Sequence, residues 1–83
     1  MNLQMRYFAS VREALGLSHE VVQTSASDVA GLLTDLRARG GAYAEVLAEG
    51  RPVRVAVNQV MGSSATPLHD GAEVGFFPPV TGG

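Results

Sequence analysis

Glu73-Val74-Gly75-Phe76-Phe77-Pro78-Pro79-Val80-Thr81-Gly82-Gly83 is the stretch that decides the fold. Its first half reads as a strand, with Val74 and Phe76 on one face and Gly75 and Phe77 on the other. Pro78-Pro79 cannot continue inside a sheet and favours an extended stem. From Val74 onward no side chain is charged, so the α-carboxylate of Gly83 is the only charge at this end. A fraying end is polar and tolerant of change. This one is apolar, stiffened by two prolines and then free of side chains. The expectation is a sheet-anchored arm, residues 78–83, leaving a domain formed by residues 1–77.

Upstream, Asn2 to Phe8 alternates, with Leu3, Met5 and Tyr7 on a core face. Phe8 then falls on the polar face, where a large aromatic is out of place. Ser10 to Gly16 reads as a helical turn, with Ser10 as N-cap, Glu13 completing a capping box and Gly16 as the stop. Ser18 to Thr24 reads as a second strand around Val21 and Val22. Ser27 or Asp28 caps a helix whose Val29, Leu32, Leu33 and Leu36 make one apolar stripe. Arg37 and Arg39 suit the C-terminal end of that helix, and Gly40-Gly41 ends it. Gly31 inside it is expected to allow close packing on the sheet. Ala42 to Ala48 reads as a short turn with Tyr43, Val46 and Leu47 inward. Pro52 to Asn58 is a strand, Val60-Met61 a short one, and Leu68-His69-Asp70-Gly71 a turn.

One main helix between two hairpin-like halves, packed on one face of a mixed sheet, is an α+β arrangement. It matches the β-grasp, or ubiquitin-like, architecture, in which the first and last strands are adjacent and central. The arm then projects from the middle of the sheet and reaches at most about 20 Å.

Composition narrows the chemistry. The 83 residues make one small domain with a formal charge of −2, which leaves no footprint for nucleic acid. No apolar run spans a bilayer and no signal segment is visible, so no membrane association and a cytoplasmic location are expected. There is no cysteine and no lysine. Disulfides, thiolate catalysis and side-chain Schiff bases are therefore excluded. His19 and His69 lie far apart in sequence without ligand-spaced neighbours, so no metal is expected. No nucleophile, base and orienting group stand out together. Asp28 and Asp35 read as a cap and a solvated helix surface.

The arm fits a chemical role. Adenylation by ATP would turn the Gly83 carboxylate into an acyl donor, and a sulfur nucleophile would then leave a thiocarboxylate there. Gly82 and Gly83 can thread a narrow cleft. Pro78-Pro79 loses little entropy on insertion, and the missing charges spare a desolvation cost. Phe8 and Phe77 fall on the sheet face opposite the helix, with Met61 beside them, as a partner-docking patch. The bland alternative is that the phenylalanines fold over a loop.

Tyr7-Phe8-Ala9-Ser10-Val11-Arg12-Glu13, Val57-Asn58-Gln59, Leu68-His69-Asp70-Gly71-Ala72-Glu73-Val74 and Phe76 to Gly83 together resemble the small, sulfur-carrier subunit family of molybdopterin synthase (MoaD). The resemblance runs end to end and is most specific over the last eight residues. It implies an ATP-dependent, ubiquitin-activating-like adenylyltransferase acting on Gly83, and a sulfur donor that installs the thiocarboxylate. It implies insertion of Pro78, Pro79, Val80, Thr81, Gly82 and Gly83 into a large subunit holding cyclic pyranopterin monophosphate. Two rounds of sulfur transfer would make the molybdopterin dithiolene. The family assembly is a heterotetramer, with catalytic side chains on the large subunit and no cofactor on this chain. Phe8, Met61 and Phe77 match positions that contact both partners. Gly75 stands where the family often has alanine. Sulfur delivery to thiamin, a tRNA base or cysteine is the rival within the same chemistry. A ubiquitin-like binding module that is never activated is the rival outside it.

Overall fold

A computed structural model describes residues 1–79. The strands are β1 (Asn2–Tyr7), β2 (His19–Gln23), β3 (Arg54–Val57), β4 (Val60–Met61) and β5 (Glu73–Phe77). The helices are α1 (Ala9–Leu15), α2 (Val29–Arg37) and α3 (Gly41–Val46). The strands form one mixed sheet in the order β2-β1-β5-β3-β4. β1 and β5 run parallel at its centre, while β2, β3 and β4 pair antiparallel to their neighbours. This is the α+β, β-grasp arrangement the element order implies. Among the described residues no helix is long and apolar enough to cross a membrane.

Leu3, Met5 and Tyr7 of β1 are buried, as are Val74 and Phe76 of β5 and Val55 and Val57 of β3. They meet Val29, Leu32 and Leu36 of α2, Val11 of α1, and Val46 and Leu47 at the end of α3. The Tyr7 and Phe76 rings stack with centroids 6.5 Å apart. Asp28 is the α2 cap, its carboxylate accepting from the Gly31 N–H at 2.9 Å. A Cβ on Gly31 would come within 3.0 Å of the Ala26 Cβ. The close approach that favours glycine there is to the loop before the helix, not to the sheet.

Three expectations shift. The N-cap of α1 is Phe8, not Ser10, and no side chain caps it. Phe8 donates its N–H to the Phe76 carbonyl, continuing the pairing with β5. Its own carbonyl accepts from Val11 and Arg12, so the helix starts before Ser10. Helix α2 ends at Arg37. Arg39 lies in the following turn and pairs with Glu20 at 3.1 Å. Asp35 is not merely solvated: it accepts the Thr24 hydroxyl.

Glu20, on the core face of β2, accepts from the hydroxyls of Tyr7 at 2.8 Å and Tyr43 at 2.6 Å, and from Arg39. Arg39 also lies over the Tyr43 ring. Burial pushes the Glu20 carboxyl upward, but the bonds from Tyr43, Tyr7 and Arg39 outweigh it and hold the group below its ordinary value. Burial, then the bond to Glu20, raises the Tyr7 phenol. One carboxylate thus ties β2 to β1 and to the turn and helix after α2.

Candidate functional site

The arm begins where β5 ends. Because β5 lies between β1 and β3, its end is held from both sides: Phe76 pairs with Tyr7 and Val55, and Phe77 with Arg54. Pro78 and Pro79 are half-buried in a recess of about 340 Å³ shared with Ser10 and Val11 of α1, Val46 of α3 and Arg51-Pro52-Val53. The stem is therefore seated on the domain at Pro78 and Pro79. Val80, Thr81, Gly82 and Gly83 lie outside the described residues.

Beside this root, the sheet face away from the helices carries an aromatic patch. Extended backbone (φ −123°, ψ 151°) carries Phe8 one residue past β1. Ala9 then adopts φ +49°, a left-handed conformation that costs a side-chain-bearing residue free energy and turns the chain sharply into α1. That turn leaves the Phe8 side chain on the open face, 47% exposed. Phe8 meets Phe77 edge to face, with centroids 6.3 Å apart and ring planes at 79°. Gly75 is the floor beneath it: a Cβ there would approach Phe8 Cε2 to 3.2 Å.

Register places Met61 on the same face. Gly75 pairs with Ala56, and Ala56 with Met61, which is 54% exposed. The sequence-derived trio of Phe8, Phe77 and Met61 thus shares one surface: the phenylalanines touch, and Met61 stands two strands from Gly75. Arg6, paired to Glu73 at 3.6 Å, borders the patch on one side and Arg54 on another. Neither phenylalanine is folded beneath a loop.

Gly75, Arg51 and Arg54 were not among the site residues expected from sequence. The signal for Gly75 was present: it is the open-face neighbour of the one aromatic that breaks the alternation of β1. The arginines carry no local signal: the sheet register brings Arg54 beside Phe77, and the segment before β3 brings Arg51 to the recess that holds Pro78 and Pro79. Among the described residues no group of three His, Asp or Glu could hold a metal. His19 lies in β2, and His69 in the loop before β5.

The ThiS family model matches residues 5–83. The molybdopterin synthase sulfur carrier subunit of Escherichia coli (strain K12) is 40% identical over 81 residues, covering 98% of this chain and 99% of that protein. A Haloferax volcanii protein known from its solution structure is 34% identical with a TM-score of 0.81, covering 100% of this chain and 87% of the other. In the protein–protein complex of subunits 1 and 2 of the molybdopterin-converting factor from Helicobacter pylori 26695, the matching chain has a TM-score of 0.67 and 25% identity, with 100% coverage of both chains. A central strand running into a seated proline stem, an aromatic patch at its root and an end-to-end sequence match agree: this chain belongs to the ThiS family and is similar to the molybdopterin synthase sulfur carrier subunits.

Proposed function

We propose that this chain is the sulfur-carrier subunit of a cytoplasmic molybdopterin synthase, and that its reactive group is the C-terminal carboxylate of Gly83. The observation that carries the reading is the 40% identity, over essentially the whole of both chains, to the sulfur carrier subunit from Escherichia coli. The Helicobacter pylori complex of the two converting-factor subunits supports a large subunit as partner.

A carboxylate is a poor acyl donor. In the proposed cycle one Gly83 oxygen attacks the α-phosphate of ATP on an activating adenylyltransferase, and pyrophosphate leaves. Hydrosulfide released by the sulfur donor attacks the acyl carbon of the acyl-adenylate. The C–S bond forms as the C–O bond to AMP breaks, a proton is lost, and Gly83 is left as a thiocarboxylate. The arm, Pro78 to Gly83, then enters the large subunit, where the thiocarboxylate sulfur replaces oxygen on a carbon of the bound pyranopterin. The C–S bond forms as the C–O bond breaks, and the oxygen leaves with its electron pair as phosphate or water. Water cleaves the acyl–sulfur bond and returns the Gly83 carboxylate, and a second charged chain supplies the other sulfur of the dithiolene. No side chain of this protein takes part in bond making. Its residues position and dock: the β5 strand fixes the root, Pro78-Pro79 keep the stem extended, and Phe8, Phe77 and Met61 meet the activating enzyme and the large subunit in turn.

The test uses the full chain with ATP, a sulfur donor and the activating enzyme, read by intact-protein mass. Exchange of one C-terminal oxygen for sulfur is expected. Loss of that exchange on appending one residue after Gly83, with folding and docking retained, separates a carrier from a binding module. If the thiocarboxylated chain and the large subunit yield no dithiolene pterin, the chain serves a different sulfur acceptor.

A further inference from the structure

The outer edge of β2 is an unpaired strand edge whose geometry fits a second copy of itself. Tyr7 donates to the Ser18 carbonyl, while Met1 and Thr24 bond mutually. The alternation of an antiparallel ladder therefore turns the backbone groups of Ser18, Glu20, Val22 and Thr24 toward β1. Those of His19, Val21 and Gln23 point away from the sheet. All three residues are exposed, and Val21 is 60% exposed.

Edges of this kind are normally guarded by lysine, proline, a bulge, shortness or an inward charge. At the opposite edge β4 has only two residues. β2 has five, no proline, and continuous pairing to β1 without a bulge. Its one inward charge, Glu20, already accepts from Tyr7, Tyr43 and Arg39. Covering it therefore adds little desolvation penalty.

The geometry points to antiparallel self-pairing of β2 about a twofold axis at Val21. In that register each outward-facing residue meets an outward-facing one: Val21 meets Val21 of the second copy, and His19 meets its Gln23. Glu20 faces Val22. No like charges oppose one another. The two sheets become continuous. The Phe8–Phe77–Met61 surface stays open, so pairing does not compete with docking. One pair of five-residue strands is a small contact beside the roughly 1,000 Å² expected of a stable interface. The dimer is weak and concentration-dependent. This proposal does not depend on the sulfur-carrier reading.

The test is amide exchange and sedimentation of the full chain over a roughly hundredfold range of concentration. At high concentration the amides of His19, Val21 and Gln23 gain protection, while Glu20 and Val22, bonded to β1 throughout, do not change. Val21→Lys sets like charges across the axis and weakens the dimer roughly tenfold or more. His19→Glu combined with Gln23→Arg places opposite charges across it twice and tightens the dimer. Exchange at the three amides that ignores concentration, or a dimer indifferent to both sets of variants, overturns the proposal. Protection that requires the large subunit, with the chain alone monomeric, assigns the edge to that partner and overturns it as well.

Discussion

The Phe8 ring covers Gly75 so closely that a Cβ on Gly75 would lie 3.2 Å from the ring's Cε2 atom. Two residues 67 positions apart therefore set the height of the aromatic patch together. The contact falls on an exposed ring rather than on backbone, so Phe8 can give by a few tenths of an ångström. Gly75→Ala is expected to fold normally, with stability unchanged or raised by up to about 1 kcal/mol, because a strand glycine loses more backbone entropy than alanine. Gly75→Leu instead lifts Phe8 off the sheet and weakens docking. Thermal melts together with binding to the large subunit check both. Equal binding by the wild type and Gly75→Leu would show that the ring's position does not matter.

The alternation of β1 makes neighbouring aromatics behave as opposites. Tyr7 is 1% exposed and Phe8 47%. Phe8→Ala should cost the fold about 1 kcal/mol or less, yet cost partner binding about 2 kcal/mol, as a central interface aromatic does. Tyr7→Ala should destabilise the fold by about 3–5 kcal/mol. Denaturant titration and calorimetric binding separate the two effects. A Phe8→Ala chain that binds both partners like the wild type would remove the patch from the docking surface.

The sheet, the main helix and the patch were legible in the sequence because each rests on a local period. Leu3, Met5 and Tyr7 repeat every second residue, Val29, Leu32 and Leu36 follow the helical stripe, and Phe8 stands out by breaking its alternation. The start of α1 was not legible. Ser10 and Glu13 look like a capping box, but Phe76 captures the Phe8 N–H from a strand far along the chain, and the helix begins from there. The Glu20 cluster was missed for the same reason. Tyr7, Arg39 and Tyr43 come from separate elements, and no spacing in sequence foretells their meeting. Conversely, the arm from Val80 to Gly83 rests on sequence and relatedness, since it lies outside the described residues.

The β3–β4 turn offers a stabilising change. Asn58 and Gln59 have φ +50° and +67°, the two positive values that a two-residue hairpin of this hand requires. Asn58 suits its place, and its side chain also accepts from the Glu73 N–H at 3.0 Å. Gln59 does not suit its own, since only glycine takes that conformation without a steric penalty. Gln59→Gly is expected to raise stability by about 0.5–1 kcal/mol, with the fold and docking unchanged. A rise in Tm with unaltered partner affinity is the predicted result. A fall would mean that the glutamine side chain contributes more than its backbone angle costs.

Acid should weaken the clamp at Glu20. The folded protein holds this carboxyl below its unfolded value despite burial, through bonds from Tyr43, Tyr7 and Arg39. The resulting stability is present in full above the unfolded value, near the ordinary 4.5, and is lost as pH falls through the lower folded value. Glu20→Gln keeps one oxygen acceptor and loses the charge. It should be less stable than wild type by about 1–2 kcal/mol near neutrality, and the gap should narrow toward the acid limit. Tyr43→Phe, which removes one donor, should lose about 1 kcal/mol and raise the pH at which Glu20 titrates. Urea unfolding at a series of pH values measures the gap, and the carboxyl carbon shift of Glu20 in NMR gives its titration directly. A wild type and a Glu20→Gln variant separated by the same free energy at every pH would show that the carboxylate's charge contributes nothing to the clamp.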